Sequence, residues 1–234
     1  MDKPPASIGS ERQIRWIEVL VVLVVAVGSN LYSIVASSIE PMDHRGFWLD
    51  AVGLAWQSLQ VATVVAFIIW RSPEGWKGFG LPHFKFTRDI GIGFAVLVSG
   101  FIGSSVAMGI IAGLYYALRK NPYVDPVQYG LTEAHGWQLV VLLLVLLANS
   151  FAEEVALRAF LITRFEQLFG SARLAVAVSA LLFASYHSYQ GVFGFFGALA
   201  MALIYGKFFI RWRSVWMLVF AHTVSNLWAF AQTS

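Results

Sequence analysis

The chain contains no cysteine and few charged residues. Without cysteine it has no disulfide framework, no iron–sulfur cluster and no cysteine nucleophile. Charged residues make up 12% of the chain and hydrophobic residues 58%, whereas about a quarter of the residues in ordinary soluble domains are charged. A soluble globule needs a polar surface, and this composition supplies too little of one. The composition therefore excludes a soluble enzyme and a disordered chain.

A long basic run is also missing. Sixteen Lys and Arg residues against 13 Asp and Glu residues give a net charge of only +3. Nucleic-acid-binding proteins show a basic patch or stripe instead of such a small excess. We therefore expect no nucleic-acid partner. In a membrane protein a small basic surplus is typical of cytoplasmic loops.

Long apolar runs are what the sequence has in abundance. A helix needs about 20 apolar residues to cross bilayer hydrocarbon about 30 Å thick, whereas strands of a transmembrane barrel alternate and run for only about 10 residues. We therefore predict an all-α, polytopic transmembrane helix bundle of about seven spans. The predicted spans are Trp16–Ser37, Phe47–Trp70, Ile90–Leu118, Trp137–Leu161, two helices within Leu174–Gly206 that turn at Ser188–Gly191, and Val215–Phe230.

Lys and Arg are distributed unevenly along this bundle, which predicts its orientation in the cell membrane. With the N-terminus in the cytoplasm and the C-terminus outside, twelve of these residues face the cytoplasm and three face outward. The twelve are Lys3, Arg12, Arg15, Arg71, Lys77, Lys85, Arg88, Arg164, Arg173, Lys207, Arg211 and Arg213, and the three are Arg45, Arg119 and Lys120. Glu18 and the lack of a small-residue cleavage site favour a first span that is not removed as a signal peptide.

Two adjacent carboxylates and an arginine interrupt the fourth predicted span. Glu153 and Glu154 point about 100° apart on an α-helix, so they cannot share one role. Glu154 and Arg158 are four residues apart and can pair on one helix face. Glu153 is then left without a local cation, which suits a general base. Alternatively, the cluster is the charged end of a helix leaving the membrane, although the apolar helix continues through Ile162.

Two later predicted spans carry histidines. His187 ends the fifth span, four residues after Phe183, and His222 lies four residues before Asn226 on one face of the seventh span. The simpler explanations are an interfacial position for His187 and hydrogen bonding between helices for His222 and Asn226. At about 1.5 Å per helical residue, Glu153 and both histidines lie at compatible depths. We therefore predict that these three side chains meet within the membrane.

Taken in order, these motifs resemble the CAAX prenyl protease 2 family. Its other names are the type II CAAX endopeptidases and the CPBP intramembrane proteases, which include lysostaphin-resistance and bacteriocin-immunity proteins. The resemblance covers about Trp137–Phe230. It divides the chain into N-terminal transmembrane helices without a recognisable motif (1–136) and a catalytic core in the last four helices (137–231). The motifs are Glu-Glu-x-x-x-Arg, Phe-x-x-x-His and His-x-x-x-Asn, here Glu153, Glu154 and Arg158, then Phe183 and His187, then His222 and Asn226.

The resemblance implies an intramembrane endopeptidase that hydrolyses a peptide bond with a glutamate-activated water, possible substrates being CAAX-type, membrane-associated peptides. In this hypothesis Glu153 accepts a proton from the water and His187 helps to hold that water. His222 and Asn226 stabilise the oxyanion, and Glu154, paired with Arg158, orients the base. The implied partners are a peptide or protein substrate and the lipid bilayer.

The resemblance leaves the metal open, because family members are described both as metalloproteases and as glutamate-dependent proteases. If zinc is bound, its expected ligands are His187, His222 and Glu153. The zincin motif, with two histidines on one helix turn around a glutamate, is absent from the sequence. We therefore favour a reaction that requires no metal cofactor.

Two other functions remain open from the sequence. A non-catalytic membrane adaptor or bacteriocin-immunity protein on the same fold would tolerate the loss of Glu153. A proton-coupled transporter would use Glu153 and the histidines as a relay. Such transporters usually contain an internal repeat, and none is visible here.

Overall fold

A computed structural model of the protein describes residues 8–32, 46–118 and 134–231, and all regular structure within these ranges is helical. Seven helical segments follow one another within these ranges, and the short helical elements Gly75–Gly78 and Ser188–Gln190 lie between two pairs of them. The segments are α1 (Ile8–Val22, continued by the π-helical Leu23–Gly28), α2 (Gly46–Arg71), α3 (Phe86–Ala117), α4 (Gln138–Phe169), α5 (Ala172–Tyr186), α6 (Gly191–Trp212) and α7 (Trp216–Ala231).

The helices lie where the apolar runs predicted them, which confirms the all-α class. Five helices are long and apolar enough to cross a membrane, namely Glu11–Tyr32, Gly46–Arg71, Phe86–Ala117, Gln138–Phe169 and Ser188–Trp212. The chain is therefore a multi-pass membrane protein. With 15 and 16 residues, α5 and α7 are shorter than the roughly 20 residues of a full span, so the count of seven spans stays a prediction.

Close helix approach organises the second half of the bundle, where α3 packs against α6 and α7, and α5 packs against α6. A Cβ atom added at Gly93 would lie 2.9 Å from the main-chain oxygen of Met217, and one at Gly100 would lie 2.9 Å from the Tyr205 ring. Between helices in lipid the hydrophobic effect does not drive association, so such close contact stabilises the bundle through van der Waals attraction.

The central helix of the bundle is α4, which contacts α1, α2, α5, α6 and α7. Every residue from Glu154 to Phe165 is buried, and the backbone from Glu154 to Ile162 is π-helical. Segments of π-helix are rare and occur frequently at functional sites. This one begins at the second of the two adjacent glutamates, so the helix geometry changes between them.

Arg164, one of the twelve residues predicted to face the cytoplasm, lies near the end of α4 and is buried, so it does not lie in a loop. Its Nε lies 2.8 Å from Glu18 Oε2 and its Nη1 lies 2.9 Å from Glu74 Oε1. Its Nη2 donates to Ser72 Oγ, and the guanidinium lies 4.7 Å from the centre of the Phe79 ring. Burial is possible because these partners, distant in sequence, neutralise the charge.

The Glu74 carboxyl makes the stability of this cluster dependent on pH. Burial raises the pKa of Glu74, but hydrogen bonds from Ser72 and from its own main chain, together with the charge of Arg164, outweigh burial and hold the pKa at about 2. A carboxyl with a lowered pKa stabilises the fold fully above its ordinary value of 4.5 and loses this contribution as the pH falls towards 2.

We therefore expect wild type to unfold at a higher temperature than Glu74→Gln at about pH 6, and expect this difference to shrink by about pH 3. Thermal unfolding of both proteins in detergent measures it. A difference of equal size at the two pH values would contradict the role given to the ionised Glu74.

The orientation of the bundle stays a prediction, and Lys3 and the three cations predicted to face outward, Arg45, Arg119 and Lys120, lie outside the described residues. The absence of native cysteine makes a labelling test clean. Lys77 is exposed, and we expect Lys77→Cys to be protected from a membrane-impermeant maleimide in intact cells, whereas Ser234→Cys is labelled. Labelling of both from the same side would contradict an N-terminus in the cytoplasm and a C-terminus outside.

Candidate active site

The two adjacent glutamates of α4 have different surroundings. The Glu154 side chain is 0% exposed, whereas 17% of the Glu153 side chain is exposed. Glu154 Oε1 lies 3.3 Å from Arg158 Nη1, which confirms the predicted pairing of these residues. Glu154 is thus fixed inside the protein, while Glu153 remains accessible.

His222 of α7 lies between the two carboxylates. Its Nδ1 is 2.8 Å from Glu154 Oε1, and its Nε2 is 3.6 Å from Glu153 Oε2. Because Glu154 is paired with Arg158 and accepts hydrogen bonds, His222 Nδ1 carries the proton of that bond. The Nε2 atom then faces Glu153. The predicted meeting of Glu153 and His222 is confirmed. Helix α7 therefore supplies the basic side chain that Glu153 lacks on its own helix.

The Arg158 guanidinium is enclosed by aromatic rings. Its centre lies 4.3 Å from the Phe183 ring centroid and 5.8 Å from that of Tyr205. Within the part of the chain that the structure describes, neither Nη1 nor Nη2 has a hydrogen-bond partner. Ion pairing with Glu154 and contact with these rings therefore stabilise the buried charge. Tyr205 lies in a sequence segment without charged residues. In such a segment the sequence does not distinguish an aromatic residue that encloses a charge from one that packs in the apolar core.

His187 directly follows α5, and its ring and that of His222 both lie near the Phe183 ring. The Phe183 ring centroid is 4.3 Å from that of His187 and 5.9 Å from that of His222. His187 Nδ1 is 2.8 Å from the main-chain oxygen of Phe183. A carbonyl oxygen only accepts, so Nδ1 donates, and Nε2 of the neutral ring keeps its lone pair. Both histidine rings therefore contact the Phe183 ring, whereas the meeting of His187 with Glu153 stays a prediction.

Asn226 lies one helical turn after His222 and is tied to α4. Its Nδ2 donates to Ser150 Oγ at 3.3 Å, and Ser150 is buried. A carboxamide nitrogen has two N–H groups, so one remains for another acceptor. Ser150 belongs to none of the three motifs. A serine in an apolar helix is usually a small packing residue, so the sequence alone did not single it out.

A small cavity at Glu153, with room for about one water molecule, is walled by α1 and α2 as well as by α4. Among the residues that line it are Asn30, Gln57, Ser58 and Asn149. His187, His222 and Asn226 are not among them. The N-terminal region without a recognisable motif therefore supplies about half of the residues that line this cavity. Gln57 is one of several polar residues in the apolar run Phe47–Trp70, and this run was the sequence signal that pointed there.

The residues do not fit the zinc site that the resemblance allowed. Across residues 8–32, 46–118 and 134–231, no three His, Asp or Glu side chains are grouped closely enough to hold a metal ion. The reaction proposed for this site therefore uses only side chains and water.

Comparison with known families places a match on the second half of the chain. Residues 135–228 match the family described as Rce1-like, the type II CAAX prenyl endopeptidases. The matched range contains all six candidate site residues and confirms the resemblance that the three motifs predicted. The family is one of proteases, which supports endopeptidase activity at the level of the family. Comparisons with curated proteins and with solved structures gave no match.

Proposed function

We propose that this protein, whose residues 135–228 match the Rce1-like endopeptidases, is an intramembrane endopeptidase in which Glu153 activates water. The observation that carries the proposal is the contrast between the two glutamates. Glu154 is buried and held by Arg158 and His222, whereas Glu153 is partly exposed, borders a cavity with room for about one water molecule and lies 3.6 Å from an imidazole nitrogen. An accessible carboxylate beside an imidazole suits proton transfer to and from water.

In the proposed reaction Glu153 first accepts a proton from a water molecule as the water oxygen attacks the carbonyl carbon of the peptide. The carbonyl oxygen becomes an oxyanion in a tetrahedral intermediate. His222 and the free N–H of the Asn226 amide stabilise this oxyanion. Glu153 then passes its proton to the leaving nitrogen as the C–N bond breaks, which restores the carboxylate.

His187 is proposed to position the attacking water. Its Nδ1 is fixed on the Phe183 carbonyl, so its Nε2 lone pair is directed by the backbone and accepts a hydrogen bond from water. Glu154 fixes His222 through Nδ1 in the same manner. Both histidines are therefore oriented through one nitrogen while the other is left for the reaction.

The proposed substrate class is a CAAX peptide at the membrane. Such a peptide ends in a prenylated cysteine, two aliphatic residues and a terminal residue. A prenyl chain places the peptide in the bilayer, where the helices that carry the site lie. The proposed scissile bond follows the prenylated cysteine, and the C-terminal fragment is the leaving group.

Cleavage of a farnesylated, fluorogenic CAAX peptide by wild type in lipid nanodiscs tests this function. We expect release of the C-terminal fragment. An unprenylated peptide of the same sequence is the control for the lipid chain, and we expect slower cleavage of it. No cleavage of either peptide would contradict the endopeptidase and is the result expected of a non-catalytic adaptor or a transporter.

A further inference from the structure

We propose that the cavity beside Glu153 binds one resident water molecule, which Asn30 and Gln57 hold against the Glu153 carboxylate. This inference rests on the proposed endopeptidase function and adds two positioning residues to it, both from helices that carry none of the three motifs. The resident water differs from the attacking water, because His187 does not line this cavity.

The size and the polarity of the cavity both fit a water molecule. It has room for about one water. Cavities with apolar walls stay dry, whereas a polar cavity of this size binds a water that makes about three hydrogen bonds. Five of the nine residues that line this cavity are polar, namely Asn30, Gln57, Ser58, Asn149 and Glu153. The walls therefore favour a bound water.

The hydrogen bonds of the two carboxamides leave one donor and one acceptor. Gln57 Nε2 donates to Asn30 Oδ1 at 2.9 Å and to Ser29 Oγ at 3.4 Å. Asn30 Nδ2 donates to the Ala26 carbonyl at 2.8 Å. Each carboxamide has two N–H groups and one acceptor oxygen. Among the described residues, Gln57 Oε1 accepts no hydrogen bond, and one N–H of Asn30 donates none.

A water molecule matches this donor and this acceptor, and it has a second O–H left for Glu153. In the proposed arrangement it accepts from the free Asn30 N–H, donates one O–H to Gln57 Oε1 and donates the other to the Glu153 carboxylate. Three hydrogen bonds are the usual number for a buried water. The bond at 2.9 Å between the two carboxamides holds both of them in place.

Glu153 is then oriented by two different groups. Its Oε2 lies 3.6 Å from His222 Nε2, and His222 does not line the cavity, so the resident water approaches the carboxylate from another direction. A hydrogen bond to an ionised group is stronger than one between neutral groups. This bond limits rotation of the Glu153 side chain and keeps the carboxylate directed at the attacking water, as a general base requires.

A purely structural role of the two carboxamides makes a different prediction. Hydrogen bonds between polar side chains join membrane helices. If Asn30 and Gln57 only join α1 to α2, the cavity is dry, and filling it leaves the rate of cleavage unchanged. If they hold a water, filling the cavity expels this water and lowers kcat. KM stays the same, because the peptide does not enter the cavity.

Val61→Ile fills the cavity and leaves both carboxamides and Glu153 in place, because Val61 is buried on α2 and lines the cavity. The matched control Val65→Ile adds the same carbon one turn further along α2, at a buried residue that does not line the cavity. With the farnesylated CAAX peptide in nanodiscs, we expect Val61→Ile to lower kcat about ten- to hundredfold, the effect of losing one hydrogen bond to a charged group. We expect its KM and unfolding temperature to match those of Val65→Ile.

X-ray footprinting detects the water directly and does not depend on cleavage. Radiolysis converts a bound water into a hydroxyl radical that oxidises the side chains in contact with it, and mass spectrometry locates the oxidised residues. Leu157 lines the cavity and Leu161 lies one turn further along α4, and both are buried. In wild type we expect rapid oxidation of Leu157 and not of Leu161. Val61→Ile should abolish the oxidation of Leu157, and Val65→Ile should not.

Gln57→Met serves where Val61→Ile fails to fold, because it removes the hydrogen-bond acceptor of the water. Gln60→Met is its control, since Gln60 is exposed on the same helix and does not line the cavity. We again expect a lower kcat, an unchanged KM and less oxidation of Leu157 in the first variant only.

Equally slow oxidation of Leu157 and Leu161 in wild type would overturn the inference, because the cavity would then be dry. Equal kcat values for Val61→Ile and Val65→Ile would also overturn it, because the water would then not position the base. The two proposals fail in different ways. Rapid oxidation of Leu157 in a wild type that cleaves no peptide refutes the protease and keeps the water site, whereas a dry cavity in a wild type that cleaves the peptide refutes the water site alone.

Discussion

Replacement of Glu153 by glutamine is expected to reduce peptide cleavage by about 10²–10⁴-fold, the usual contribution of a general base. Glutamine keeps the length and shape of the side chain but cannot accept a proton from water. Glu153 is partly exposed, and Glu154 remains to hold Arg158 and His222. The fold should therefore survive, with an unfolding temperature close to that of wild type.

Initial rates with the farnesylated CAAX peptide, together with thermal unfolding of the same preparations, measure both effects. Glu11→Gln is a control for the chemical change, because Glu11 is exposed and far along the chain from the site. Full activity of folded Glu153→Gln would remove Glu153 from the mechanism. A loss of activity that accompanies unfolding would show a structural role instead.

Replacement of Glu154 by glutamine is expected to destabilise the protein by about 3–5 kcal/mol, the usual cost of breaking a buried ion pair from one side. Arg158 is 1% exposed and would remain buried without its countercharge. His222 would lose the carboxylate that holds its Nδ1. We expect a lower unfolding temperature and a lower membrane yield, with activity lost as a consequence.

The matched control for Glu154→Gln is again Glu11→Gln. Glu11 and Arg15 have the same spacing along a helix as Glu154 and Arg158, but their charged atoms are 3.8 Å apart, with Glu11 exposed and Arg15 partly exposed. An exposed pair contributes at most about 1 kcal/mol. Equal unfolding temperatures for the two variants would contradict the buried role of Glu154.

Local spacing was sufficient to predict the helices and part of the site. Apolar runs gave the positions of the helical segments because a bilayer requires long apolar helices. The four-residue spacing predicted the contact of Glu154 with Arg158, which is observed. Counting residues from the ends of the spans brought Glu153 and His222 to one depth, and their side chains lie 3.6 Å apart.

Contacts between distant helices could not be derived in this way. Arg164 follows an apolar run, and its position in the sequence suggests a cation in a loop. Its partners Glu18 and Glu74 lie 146 and 90 residues away along the chain, so local spacing does not reveal them. Asn30 and Gln57 meet across α1 and α2, and neither belongs to a motif. The π-helical geometry of Glu154–Ile162 could not be predicted either, since the hydrophobic pattern of a π-helical segment is too short to recognise.

The central claim, hydrolysis of an internal peptide bond by water that Glu153 activates, is tested most directly by mass spectrometry of the products. Wild type and Glu153→Gln are incubated with the farnesylated CAAX peptide in water enriched in heavy oxygen. Wild type is expected to release the last three residues as one intact tripeptide and to leave one heavy oxygen in the new cysteine carboxylate, while Glu153→Gln forms neither product. Stepwise loss of single residues, or equal product from both proteins, would contradict the claim.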